Sequence, residues 1–138
     1  MFKGHCFPKT IILQAVYFKL RFSLSYRDIE ELLRIRGVVV DHATIHRWVI
    51  KFTPVIDMNF RKRKKIPGMR WRQCKYLNNI VEQDHRFVKW RIQNMLGFKS
   101  FESAQITLSG IETVRMIKKN QLINPRITPF QSFCSLAV

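Results

Sequence analysis

Apolar residues recur along the first half of this chain at helical rather than strand spacing. After Pro8, whose missing N–H is tolerated at a helix start, Ile11, Ile12, Ala15, Val16, Leu20 and Phe22 mark one face. Ser25 then reads as an N-cap, with Asp28 at the capping-box position and Ile29, Leu32 and Leu33 as a buried stripe. Gly37 stops that segment, because glycine tolerates the left-handed geometry that follows a helix end. Val38-Val39-Val40 forms a short extended connection and Asp41 caps the next helix. In it Ile45, Trp48, Val49 and Phe52 fall at i, i+3, i+4 and i+7. Thr53-Pro54 is expected to end or kink it, since proline has no N–H to donate and clashes with the preceding turn. The pattern therefore predicts helices over 8–22, 25–36 and 42–53.

Beyond them, Arg61-Lys62-Arg63-Lys64-Lys65 and then Pro67-Gly68 read as a basic linker. Helical spacing resumes at Tyr76, with Asn79 able to cap and Glu82 three residues on, and Gly97 stops that helix after Leu96. Ser100 starts another, with Ala104, Leu108, Ile111 and Val114 on one face. Asn124-Pro125 and Thr128-Pro129 interrupt what remains, so 122–138 reads as a disordered tail. The expected fold is all-α. The organisation is a domain over 1–60, a linker over 61–75, a two-helix unit over 76–121 and the tail.

Three short helices with a compact turn between the second and third form the pattern of a helix-turn-helix. In such units the last helix enters the DNA major groove by its amino-terminal end. Here that end offers His42, Thr44, His46 and Arg47, with Lys51 one turn further. His42 and His46 stand at i, i+4 spacing, but no third or fourth ligand accompanies them, so DNA contact or solvent exposure is the better reading than a metal site.

Charge supports a polyanionic partner. The chain has 138 residues and a net charge of +16, from 25 Lys and Arg against 9 Asp and Glu. Such an excess self-repels unless it is neutralised, and most of it lies in residues 1–72. The basic run Arg61, Lys62, Arg63, Lys64 and Lys65 is the natural phosphate-neutralising element. Three cysteines, Cys6, Cys74 and Cys134, form no C-x-x-C pair and suit a reducing compartment. No apolar run suggests a membrane span, and nothing resembles a secretory signal, so the cytoplasm is the expected location.

Several motifs in order carry a family resemblance. They are Phe2-Lys3-Gly4-His5-Cys6-Phe7-Pro8, Leu24-Ser25-Tyr26-Arg27-Asp28-Ile29-Glu30, Val40-Asp41-His42, Arg47-Trp48-Val49, Lys75-Tyr76-Leu77-Asn78-Asn79, Glu82-Gln83-Asp84-His85-Arg86 and Met95-Leu96-Gly97-Phe98-Lys99-Ser100. Over about residues 2–121 the chain resembles a bacterial insertion-sequence transposase of the D-D-E class, in the insertion-sequence-six family. The resemblance implies a helix-turn-helix that binds double-stranded DNA at the transposon's terminal inverted repeats. It also implies a ribonuclease-H-like domain in which two Asp and one Glu hold two divalent ions, Mg²⁺ in the intact family. On this chain Glu82 matches the terminal Glu, and Lys89 matches a basic residue two turns along the same helix, placed to contact DNA.

The chain departs from that pattern in its middle. Trp71-Arg72 runs straight into Gln73-Cys74-Lys75, which belongs just before the Glu82 helix, and no residue matches either Asp. A domain commonly takes about 100–150 residues, far more than separates the basic run from the Glu82 helix. The expectation is an internally deleted transposase in which 76–121 is a remnant of the catalytic domain. No intact metal site, no cofactor and no small-molecule substrate are expected. The chain would bind DNA without cutting it, or act as a regulator competing for the transposon ends, and its stranded apolar surface could self-associate.

Overall fold

The computed structural model describes residues 6–22, 24–65 and 100–137, together with 83, 86, 87, 89 and 90. Among these residues the fold is all-α, as the spacing of apolar positions predicts, with five helices and no strand. In chain order they are α1 (Lys9–Arg21), α2 (Tyr26–Ile35), α3 (His42–Arg63), α4 (Phe101–Lys118) and α5 (Pro129–Ser135). None of the described helices is long and apolar enough to cross a membrane.

Local chemistry sets most of the boundaries. At the start of α2 the Ser25 hydroxyl accepts from the Asp28 N–H (3.1 Å) while the Asp28 carboxylate accepts from the Ser25 N–H (2.7 Å). This reciprocal box satisfies two donors that a helix start otherwise leaves open. At its end Gly37 has φ +78°, and the Gly37 and Val38 amides donate to Arg34 and Leu33. Only glycine adopts that geometry without strain, and the chain leaves α2 in a defined direction. Ile29 and Leu33 are buried as expected, but Leu32 is 36% exposed, so the buried stripe of α2 is narrower than the sequence suggests.

The largest departure from the sequence reading is α3. It does not stop at Thr53-Pro54 but continues to Arg63, with Pro54 inside it and on its exposed side. Proline forgoes one backbone hydrogen bond there. Phe52, Ile56 and Phe60, at i, i+4 and i+8, are fully buried and continue the apolar stripe straight past the proline. Burial of three large side chains outweighs one lost bond, because each contributes about 1.5–3 kcal/mol.

The basic run is likewise not a linker where it is described. Arg61, Lys62 and Arg63 form the last turn of α3. Lys64 pairs antiparallel with Leu122, flanked by bonds from the Lys65 amide to Gln121 and from the Ile123 amide to Arg63. Residues 66–75 lie outside the described residues.

The expected disordered tail is also corrected. Thr128 caps α5 through a box with Gln131, and Pro129 occupies the first turn, where its missing N–H costs nothing. Phe133, Leu136 and Ala137 are buried, and Tyr17 of α1 meets Phe130 and Phe133 edge-on at 5.1 and 5.2 Å between ring centres. The Asn59 amide of α3 donates to the Leu136 carbonyl at 2.7 Å.

One apolar core holds the described helices together, drawing on all five. Gly110 sets the approach of α4. A Cβ at that position would come within 2.5 Å of Thr53 Cγ2 and 2.7 Å of Leu20 Cδ2. The missing side chain therefore lets α4 sit against α3 and α1 at once.

Candidate nucleic-acid interface

The amino-terminal end of α3 is built from three directions. Asp41 caps it, its carboxylate accepting from the Ala43 N–H at 3.0 Å. Glu30 of α2 reaches across, its Oε2 accepting from the His42 backbone N–H at 3.0 Å and lying 3.0 Å from His42 Nδ1. Asp41 Oδ1 is 3.1 Å from the same ring nitrogen. With carboxylate oxygens on both sides, Nδ1 must carry the proton and donate. Arg34 closes the cluster with a 2.8 Å bond to the other Glu30 oxygen. Glu30 thus fixes the angle between α2 and α3 while satisfying a donor at the α3 terminus.

A second line of contacts runs behind it. The Lys19 ammonium of α1 is buried, donates to the Leu24 carbonyl at 2.9 Å and lies 4.2 Å from the Tyr26 ring centre. Burial pushes Lys19 down to about 8, opposed by the Asp28 carboxylate. The Tyr26 ring meets the His46 ring edge-on at 5.1 Å. Burial raises the Tyr26 hydroxyl to about 12, with a hydrogen bond to Thr107 opposing it. Lys19, Tyr26 and His46 therefore join α1, α2 and α3 behind the exposed end.

The residues singled out from sequence fall into groups. Thr44 is half-buried, and His46, Arg47 and Lys51 are exposed on α3. His42 is half-buried and held by Glu30 and Asp41. Lys89 is exposed in helical conformation. Glu82 lies outside the described residues. Trp48 is core, as expected, with Phe7 edge-on at 5.4 Å.

Sequence reasoning missed Glu30, Tyr26 and Lys19 as the supports of this end. Glu30 acts twelve residues along the chain, across an inter-helix turn, and no local spacing rule reports such a contact.

The acid placement tests whether a two-ion site fits. Glu30, Asp41 and His42 present ligand atoms within 4.8 Å of one another, and no other such cluster occurs among the described residues. It holds two carboxylates, and both are engaged by the start of α3. Asp28 is bound to the start of α2, and Asp57 accepts from Thr113 at 2.7 Å and pairs with Arg61 at 3.0 Å. No three carboxylates converge among the described residues, so the residues placed there do not fit a pair of divalent ions.

Comparison with known proteins supplies the lineage. A family model described as a DDE domain matches residues 34–121. The transposase for insertion sequence-like element IS431mec of Staphylococcus aureus strain N315 is 44% identical over 204 residues, covering 87% of this chain and 90% of the relative. The transposase for insertion sequence element IS257 in transposon Tn4003, also of Staphylococcus aureus, matches with the same identity and coverage. The chain belongs to the D-D-E transposases of bacterial insertion sequences. No solved structure gives a significant match.

A match of 204 residues is longer than the 138-residue chain, yet it uses only 87% of that chain. The relatives therefore carry internal sequence that has no counterpart here.

Proposed function

We propose that this chain is a DNA-binding remnant of an insertion-sequence transposase that no longer cuts or joins strands. The observation that carries this reading is the internal sequence present in its relatives and absent here, together with the scattering of the acids that remain. The chain has nine acidic residues, and of these only Glu82 and Asp84 fall outside the described residues. A pair of divalent ions that clamps attacking and leaving oxygens needs several carboxylates converging from separate elements. Glu82 and Lys89 then mark ancestry, and the Mg²⁺ of an intact enzyme has no complete site to occupy.

DNA binding falls to α1–α3. Asp41 and Glu30 hold the start of α3, and Thr44, His46, Arg47 and Lys51 line it. We assign α2 and α3 as the helix-turn-helix pair and the start of α3 as the part that enters the major groove. Residues 36–41 form a longer connection than the common 3–4-residue turn. Residues 76–121 stand as the remnant of a ribonuclease-H-like domain. The partner is duplex DNA, with the transposon's terminal inverted repeats as its specific form.

A second reading, a regulator that competes with an intact transposase for the transposon ends, draws on one observation. The apolar core closes around the described helices without the missing segment. A gel shift tests specific binding. At about 150 mM salt the terminal repeats should bind more tightly than scrambled DNA. Equal affinity for both DNAs would remove the specific site.

A further inference from the structure

The basic run and the start of α3 belong to one uninterrupted helix, and this joins features that look separate in the sequence. At about 100° per residue, Lys51, Arg61 and Lys62 fall within about 60° of Arg47 around the helix axis, with Pro54 and Met58 between them. All six are exposed. Arg63 is exposed too, but falls about 160° away, on the side where Phe52, Ile56 and Phe60 are buried. There its guanidinium donates to the Ser135 carbonyl at 3.1 Å, and its own carbonyl accepts from Ile123. Lys64 and Lys65 are tied to the Gln121–Leu122 segment by backbone pairing.

Resting on the DNA-binding reading above, we propose that Arg47, Lys51, Arg61 and Lys62 form a single rigid track for the phosphates of duplex DNA, and that Arg63, Lys64 and Lys65 brace the fold. From Arg47 to Lys62 the helix rises about 22 Å, at about 1.5 Å per residue. The major groove is about 12 Å wide. When the start of α3 lies in the groove, its last turns therefore extend past the rim and over the flanking backbone. A fixed helix presents its cations there without the ordering cost that a mobile arm would meet.

Arg61 is partly offset, since it pairs with Asp57 at 3.0 Å. Glu102 of α4 lines the groove beside Met58, Arg61 and Lys62, so a polyanion is steered to the flank of the track away from α4. Lys62 is the cleaner reporter, because Asp57 engages Arg61.

The test uses the full chain, a labelled mixed-sequence duplex and fluorescence anisotropy across a salt series. Lys62→Gln should shrink the slope of log K against log salt by about 0.9, the value for one phosphate contact on duplex DNA. Arg63→Gln should leave the slope unchanged and lower the thermal midpoint. Equal slope changes in both variants would restore the flexible arm and overturn the track. A normal slope in Lys62→Gln beside a reduced one in Arg47→Gln would also overturn it while leaving the start of α3 as the DNA site. If Arg47→Gln and Lys51→Gln both leave binding untouched, or no binding occurs, the DNA-binding reading itself fails and the track fails with it.

Discussion

Truncating Phe60 to Ala is expected to cost about 3–5 kcal/mol of folding stability. The ring is fully buried six residues beyond Pro54, in a stretch where a proline is expected to end the helix. Its removal takes away apolar burial and leaves a cavity that neighbouring helices close only in part. Domains of this size are commonly stable by about 5–15 kcal/mol, so the loss is a large share of the total. Urea denaturation should show a lower midpoint with an unchanged slope, the signature of altered stability rather than altered compactness. If the helix ended at Pro54, Phe60 would sit at the edge of a linker and its truncation would change little.

A similar loss is expected for Phe133→Ala, again about 3–5 kcal/mol. Phe133 is fully buried in α5 and meets the Tyr17 ring edge-on. Phe130 packs on the other approach to Tyr17 but is only half-buried, so Phe130→Ala should cost clearly less. Urea melts of the pair rank them. Two neutral variants would mean that the last turns of the chain are not part of the folded body.

Both sites mark where local reading of the sequence falls short. Pro54 and Pro129 are each read as breakers, yet one sits inside a helix and the other begins one. For Pro129 the local signal is present, because Thr128 and Gln131 make the same reciprocal cap that is recognised at Ser25 and Asp28. Proline suits the first turn as well as it ends a helix, and its neighbours decide which. For Pro54 the signal is also present, in the 52-56-60 repeat. A propensity rule competes there with burial, and burial wins because α4 packs along α3 and Ser135 and Leu136 meet its last turns.

Elements set by neighbouring residues are legible. Ser25, Gly37, Asp41 and Ser100 act at the boundaries where their chemistry suggests. The stripe through Ile45, Trp48, Val49 and Phe52 is buried as its period requires.

The candidate interface is legible in its exposed half and opaque in its supports. Thr44, His46, Arg47 and Lys51 follow from the cap at Asp41 and the helical period. Glu30, which grips His42 from another helix, follows from neither. The basic run is legible as charge but not as geometry. Five consecutive cations look alike in a sequence, and only the winding of α3 separates Arg61 and Lys62 from Arg63.

The proposed loss of strand chemistry is tested most directly by a cleavage assay. The full chain, incubated with labelled terminal-repeat DNA and Mg²⁺ or Mn²⁺, should shift the DNA in a gel yet leave every strand intact. Reproducible nicking or strand joining, abolished by Glu82→Gln, would contradict it by revealing a working ion site.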